Sequence, residues 1–107
     1  MPSSKERLDE VLSALPEESV THKQMMGEYI LYYNGKVVGG IYDDRFLVKP
    51  TKSAKSLLPD AKEELPYEGA KPMLLVEDLS SPVFLKDLIV SVWDDLYAKK
   101  AQKGYHR

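Results

Sequence analysis

Residues 28 to 49 read EYILYYNGKVVGGIYDDRFLVK, and this stretch decides the fold. Two runs rich in β-branched and aromatic residues flank Asn34-Gly35, a pair that tolerates the positive φ angles of a two-residue hairpin turn. Asp43-Asp44 provides a second, weaker turn signal, and a third run follows it. We therefore predict three consecutive antiparallel strands joined by two tight turns.

The hairpin register predicts which side chains share a face of the sheet, because side chains alternate between faces with a period of two. With Tyr33 opposite Lys36 and Leu31 opposite Val38, one face carries no charge, and we expect it to form the core. This charge-free face comprises Ile30, Tyr32, Val37, Gly39, Ile41, Phe46 and Val48. The other face mixes apolar and basic residues, namely Tyr29, Leu31, Tyr33, Lys36, Val38, Gly40, Tyr42, Arg45, Leu47 and Lys49.

Two adjacent glycines, Gly39 and Gly40, interrupt the second predicted strand. Glycine inside a strand loses packing and costs conformational entropy, so a structural reason is expected. We predict either a bulge that curves the sheet or a close approach by another backbone or an aromatic neighbour such as Tyr29.

Helical patterns precede and follow the predicted sheet. Ser3 and Glu6 match a capping box before an apolar stripe of Leu8, Val11, Leu12 and Leu15. Ser81-Pro82 starts the main helix, whose stripe is Leu85, Leu88, Ile89, Val92, Trp93 and Leu96. We also predict strands at 20–25 and 73–76, a short helix from Thr51 to about Leu58, and a long ordered loop at 59–72.

These elements predict an α+β fold, a two-layer sandwich in which an antiparallel sheet of about five strands carries the N- and C-terminal helices on one face. The length of 107 residues suits a single domain, with residues 99–107 expected to fray. The balance of 15 basic against 17 acidic residues does not favour direct nucleic-acid or membrane binding. The chain has no cysteine and begins without the apolar stretch of a signal peptide, so we expect a cytoplasmic protein.

The sequence contains no residue pattern that is typical of a catalytic site. The acidic pairs Glu17-Glu18, Asp43-Asp44, Glu63-Glu64 and Asp94-Asp95 fall in predicted turns, loops or a polar helix face, where solvated carboxylates are the rule. The two histidines, His22 and His106, cannot by themselves build a zinc site. We expect no catalytic residue, no metal and no cofactor, and therefore a protein that is not an enzyme.

The mixed sheet face is the first candidate for recognition, because tyrosine and arginine are enriched at protein interfaces. Its candidate partner-binding residues are Tyr29, Tyr33, Tyr42, Arg45 and Lys49. A solvent-exposed but partly covered sheet face explains this mixture of apolar and basic residues equally well. We expect an unidentified protein partner on this face or on an exposed edge strand. A homodimer through the same face would bury Tyr29, Leu31, Tyr33, Val38 and Leu47.

A small-ligand or anion site is the alternative. The predicted helix start at Thr51 has lysines around it, and free backbone amides at a helix start attract anions. Long ordered loops also frequently carry function. The residues of this alternative site are Lys49, Thr51, Lys52, Tyr67 and Lys71. A pocket that brings Lys49, Tyr67 and Lys71 together would favour it, and a flat surface would count against it.

The stretches MMGEYILYYNGKVVGGIYDDRFLVKP at 25–50 and ELPYEGAKPMLLVED at 64–78 resemble the N-terminal domain of the TfoX/Sxy family. The resemblance runs from about Ser4 to Ala98 and rests on Met26-Gly27, Asn34-Gly35-Lys36, Asp44-Arg45, Leu47-Val48-Lys49, Tyr67 and Lys71-Pro72-Met73. It implies an antiparallel sheet with helices on one side. Because the sequence ends near residue 107, without the helical C-terminal domain of the long members, we expect a stand-alone, single-domain member of the family. It also implies a non-enzymatic regulator of the kind that acts on bacterial competence genes, and it implies no catalytic residue.

Overall fold

The computed structural model describes residues 3–15 and 19–98. The element bounds in chain order are α1 Lys5–Ala14, β1 Val20–Met25, β2 Glu28–Tyr33, β3 Lys36–Tyr42, β4 Arg45–Val48, α2 Lys52–Leu57, β5 Glu63–Glu64, β6 Met73–Leu75, α3 Pro82–Trp93 and a π-helix Asp94–Ala98. The sheet has six strands in the order β1-β2-β3-β4-β6-β5, and all neighbouring pairs are antiparallel. The predicted α+β fold is confirmed, and the sixth strand, β5, lies within the segment predicted as loop.

Three two-residue turns connect the first four strands. Both central residues of each turn have positive φ angles: 54° and 84° at Met26-Gly27, 50° and 78° at Asn34-Gly35, and 54° and 60° at Asp43-Asp44. Positive angles at both positions are typical of the hairpin turns whose twist matches that of the strands. The predicted pairs Tyr42–Arg45 and Ile41–Phe46 are confirmed, as are Tyr33–Lys36 and the strand at 20–25.

The pairing of β2 with β3 differs from the prediction in one respect. Leu31 lies opposite Gly39 rather than Val38, so β3 contains one residue more than β2 at this point. This β-bulge exchanges the two faces of β2 relative to β3 and β4. The side chains of Tyr29 and Leu31 consequently face the core, and Ile30 and Tyr32, which were predicted to be core residues, lie on the outer face.

Close backbone contact accounts for the two glycines beside the bulge. A Cβ atom on Gly39 would lie 2.3 Å from the carbonyl oxygen of Leu47, and one on Gly40 would lie 2.7 Å from the oxygen of Tyr29 and 2.7 Å from the ring of Tyr42. No side chain fits at such distances. Both predicted explanations hold, although the aromatic neighbour is the ring of Tyr42.

The core lies between the helices and one face of the sheet. A single cluster of buried residues combines side chains of α1, α2 and α3 with those of the strands: Leu8, Val11, Ala14, Leu15, Tyr29, Leu31, Val38, Ile41, Phe46, Val48, Ala54, Leu74, Val76, Leu85, Leu88, Ile89 and Val92. The other face of the sheet, which we call the outer face, carries no helix of this cluster. No helix within residues 3–15 and 19–98 is long and apolar enough to cross a membrane.

The N-terminus of α1 differs from the predicted capping box. Ser4, not Ser3, caps the helix, and its Oγ accepts a hydrogen bond from the backbone N–H of Arg7. Ser3 is buried and instead donates its backbone N–H to Glu28 Oε1, while its hydroxyl lies 2.7 Å from the same oxygen. Glu28 therefore ties the chain before α1 to the start of β2. The fraying expected for residues 99–107 concerns residues outside the described ranges.

Candidate functional site

The predicted partner-binding residues do not share one surface. Tyr29 is only 8% exposed and belongs to the core cluster, and the ring of Tyr33 packs edge-on against Trp93 with 5.9 Å between the ring centroids. Leu31, Val38 and Leu47 are fully buried within the protein itself. The predicted grouping of these residues on one outer face is therefore wrong, because the bulge turns Tyr29, Leu31 and Tyr33 of β2 inward. A protein partner or a homodimer of this protein stays a prediction.

Tyr42, Arg45 and Lys49 do lie on the outer face, but Arg45 is already engaged. Its Nη1 contacts Glu64 Oε1 at 2.7 Å, its Nη2 donates to the carbonyl oxygen of Leu65 at 3.0 Å, and its Nε donates to the carbonyl oxygen of Tyr42 at 3.1 Å. The rigid guanidinium group thus connects the β3–β4 turn to the segment after β5. Arg45 holds the 65–72 loop over the outer face.

The loop brings Tyr67 against Tyr42. The two rings are tilted by 54° with 6.2 Å between their centroids, and Tyr67 remains 63% exposed. Burial raises the pKa of the Tyr42 phenol, and the neighbouring Tyr67, Glu28 and Tyr32 raise it further. The tyrosine pair stands between two clefts, since both rings contribute to the lining of each.

The first of these, which we call the lysine cleft, has a volume of about 510 Å³. Its lining consists of Val37, Tyr42, Lys49, Pro50, Thr51, Pro66, Tyr67, Ala70, Lys71, Pro72, Met73 and Leu96. Four of the five residues predicted for the alternative site, Lys49, Thr51, Tyr67 and Lys71, are thus brought together. None of the lining residues is acidic. Leu96 belongs to the π-helix. The hydroxyl of Tyr97 in the same helix donates a hydrogen bond of 2.8 Å to the carbonyl oxygen of Val37 in β3.

The start of α2 does not serve as the predicted anion site. The backbone N–H of Ser53 donates to Asp95 Oδ2 at 2.8 Å, and the Ser53 hydroxyl lies 3.0 Å from Asp95 Oδ1. Thr51 accepts a hydrogen bond from the N–H of Ala54. A carboxylate of the protein thus occupies the position that an external anion would take. Lys52 is exposed and is not part of the cleft lining.

The second cleft, which we call the methionine cleft, was not predicted. Its volume is about 530 Å³, and it is lined by Met25, Met26, Glu28, Ile30, Tyr42 and Tyr67. Met26 is 95% exposed at the tip of the β1–β2 turn. Glu28, the one acidic residue of the lining, uses Oε1 to accept hydrogen bonds from Ser3 and from the N–H of Asp43. The adjacent methionines of the turn were the sequence signal for this site.

The four acidic pairs were expected to be solvated surface carboxylates, and the structure corrects this in part. Glu64 and Asp95 are half-buried and bonded to Arg45 and Ser53, so they hold elements together. His22 is exposed, with its ring edge-on to Tyr29 at 6.1 Å. Glu17-Glu18 and His106 lie outside the described residues. Within the described part of the chain, no three His, Asp or Glu side chains are placed to hold a metal ion together.

Comparison with known proteins identifies one relative of comparable length. No family model matches the sequence, and no solved structure matches the chain. A protein of Spirochaeta aurantia, described as an uncharacterized 12.7 kDa protein in the trpE 5' region, is 36% identical over 91 residues. The alignment spans 83% of this chain and 78% of that protein. The chain therefore belongs to the same family as the Spirochaeta aurantia protein.

Proposed function

We propose that the protein binds a small molecule with an apolar body and one anionic group, and that the lysine cleft is the binding site. The observation that carries the proposal is the meeting of Lys49 and Lys71 in one cleft with no acidic residue in its lining. Lysine side chains in a lining that includes no acidic residue favour an anion, since electrostatic complementarity guides both association and specificity.

The rest of the lining suits the apolar part of such a ligand. Three prolines, Met73 and Leu96 offer rigid or aliphatic surface, and the rings of Tyr42 and Tyr67 form one wall. Ligand sites are commonly apolar clefts of roughly 300–1,000 Å³ with a few polar groups that fix orientation. Thr51 and the two phenols supply such groups. The proposal is binding alone, in a protein of the cytoplasm, and it includes no catalytic step.

A matched pair of fluorescent probes tests the need for an anion. We expect 1-anilinonaphthalene-8-sulfonate, which has an aromatic body and a sulfonate, to bind at least several-fold more tightly than N-phenyl-1-naphthylamine, which lacks the charge. The variants Lys49→Met and Lys71→Met should each weaken binding of the sulfonate by roughly 3- to 10-fold, because each removes one charge-assisted contact.

The control variant is Lys52→Met, which removes an exposed lysine near the cleft but outside its lining. This variant should bind the sulfonate like the wild type. Equal affinity for the two probes, or equal effects of the three lysine substitutions, would show that the cleft does not select anions.

As a second candidate, we propose regulation through a protein partner, of the TfoX/Sxy type and including transcriptional regulation. Besides the resemblance of the quoted sequence stretches, the methionine cleft supports it, because exposed methionines adapt to many partner surfaces. Capture experiments from a lysate of the source cell should lose a partner with Met26→Asp. The control Val83→Asp changes a residue of α3 that is 74% exposed, and it should retain the partner.

A further inference from the structure

β1 forms one edge of the sheet, and within residues 3–15 and 19–98 its only neighbouring strand is β2. Five of its six residues are exposed, and only Val20 is partly buried. Natural edge strands are commonly protected by charged side chains, above all lysine, by proline or by bulges, and β1 carries one such charge, on Lys23. β1 contains no proline and pairs with β2 in an unbroken register from Val20–Tyr33 to Met25–Glu28. The strand therefore offers an uninterrupted edge of six residues for pairing.

The register shows which backbone groups face outward along this edge. The N–H of Asn34 donates to the carbonyl oxygen of Ser19, so alternate residues from Ser19 onward point their backbone groups at β2. These inward residues are Thr21, Lys23 and Met25. The N–H and C=O groups of Val20, His22 and Gln24 consequently point away from the sheet.

We propose that two copies of this chain pair β1 with β1 in antiparallel orientation about a two-fold axis through His22. The outward groups of Val20, His22 and Gln24 are spaced symmetrically about this residue. His22 then pairs with His22 of the second copy, and Val20 pairs with Gln24. Each pair of outward-facing residues exchanges two backbone hydrogen bonds, which gives six bonds across the axis. The two sheets become one continuous sheet.

The symmetry of the edge selects a second copy and this register. An axis through Lys23 would set two ammonium groups directly opposite each other, which is destabilising. An axis through Thr21 or Lys23 would also place only two of the three outward-facing residues of each copy in hydrogen-bonded pairs. The axis through His22 places Lys23 opposite Thr21 and brings no like charges together. An interface in which each partner patch matches itself is typical of two-fold homodimers.

Sedimentation equilibrium of the full chain tests the proposal. One strand per copy buries less than the ~800 Å² per partner of a standard interface, so we expect a dimer that forms between about 10 µM and about 1 mM. Its mass should approach twice the 12.1 kDa of the chain. A strict monomer across this range, or growth beyond the dimer, would overturn the proposal.

Substitutions at His22 place the axis. His22→Lys sets two permanent charges opposite each other and should weaken dimerisation by about 5-fold, whereas His22→Gln is neutral and should leave it within about 2-fold of the wild type. His22→Pro removes the two backbone hydrogen bonds between the paired His22 residues of the dimer. It removes no hydrogen bond to β2, since the N–H of His22 faces away from β2. Equal dimerisation by the lysine and glutamine variants would contradict an axis at this residue.

Amide hydrogen exchange supplies a readout of the strand itself. The N–H groups of His22 and Gln24 should exchange rapidly in dilute samples and become protected at high concentration. The N–H groups of Thr21 and Lys23 bond to β2 and should be protected at both concentrations. A dimer that forms while the His22 and Gln24 amides remain unprotected would place the interface elsewhere. The lysine cleft takes no part in the proposed β1–β1 interface. The outcome of the dimerisation experiments is therefore independent of the outcome of the probe-binding experiment.

Discussion

At the residue scale, Tyr42 is the position where several features of the molecule meet. Its ring closes over Gly40, lies against Tyr67 and lines both clefts. Burial, followed by the nearby Tyr67 and Glu28, raises the pKa of its phenol above the ordinary value of 10.0. The folded protein thus holds Tyr42 in its neutral form more firmly than the unfolded chain does.

This raised pKa predicts a specific loss of stability in alkali. The stabilising contribution is fully present below pH 10, the ordinary pKa of tyrosine, and is lost as the pH rises from there through the pKa of the folded state. Tyr42→Phe removes the ionisable group, so its free energy of unfolding should fall less steeply than that of the wild type above about pH 10. Urea unfolding at a series of pH values measures both slopes. Parallel slopes would show that Tyr42 does not contribute.

At the element scale, the ion pair between Arg45 and Glu64 joins β4 to β5 and positions the 65–72 loop. The side chains are 28% and 30% exposed, and the guanidinium also bonds to the carbonyl oxygen of Leu65. The pair Arg7–Glu10 has the same separation of 2.7 Å, but it lies within one helix and its carboxylate is 59% exposed. The two ion pairs therefore have the same N–O distance but differ in the exposure of their carboxylates and in the segments that they connect.

The same substitution in the two pairs should have different effects. We expect Glu64→Gln to lower the free energy of unfolding by about 1 kcal/mol, because it weakens a partly screened contact between distant segments. Glu10→Gln should cost less than about 0.5 kcal/mol, as exposed pairs within helices do. Urea unfolding compares the two variants, and amide exchange in the 65–72 loop should accelerate only in Glu64→Gln. Equal costs would mean that the pair does not anchor the loop.

Local patterns predicted most elements because their signals lie within a few residues. Ser81-Pro82 starts α3, and Asn34-Gly35 forms the predicted turn. The bulge opposite Leu31 lacks such a signal, since it depends on how two strands pair and on the contact of Gly39 with β4. One inserted residue was enough to exchange the faces of β2, and it removed Tyr29 and Tyr33 from the predicted tyrosine surface.

At the scale of the whole molecule, the candidate site depends on contacts between distant parts of the chain. The lysine cleft could be anticipated because Lys49 ends one predicted strand and the loop of Tyr67 and Lys71 precedes another. The hydrogen bonds between Ser53 of α2 and Asp95 could not be anticipated, because the two residues are 42 positions apart and meet where α2 packs against α3. Four residues of the cleft lining could therefore be anticipated from the sequence, whereas Lys52 and the backbone amides at the start of α2 were wrongly included.

The contact of Gly39 with β4 makes the whole fold sensitive to a single methyl group. Gly39→Ala would place a carbon atom 2.3 Å from the backbone oxygen of Leu47, and a backbone atom in the middle of a sheet cannot move aside alone. We expect a loss of at least about 2 kcal/mol in the free energy of unfolding, as for other overpacked cores. Gly69→Ala is the control: its φ angle is 88° with no atom near the new carbon, so it should cost only about 1 kcal/mol of backbone strain.

Trp93, the single tryptophan of the chain, packs on Tyr33 and so reports contact between α3 and the sheet by fluorescence, while circular dichroism reports the helices. Because one cluster of core residues joins every helix to the sheet, both signals should change at the same urea concentration in Gly39→Ala, shifted together from the wild type. A sheet that loosened while the helices persisted would separate the two transitions, and it would show that the bulge region and the helical layer do not fold as one unit.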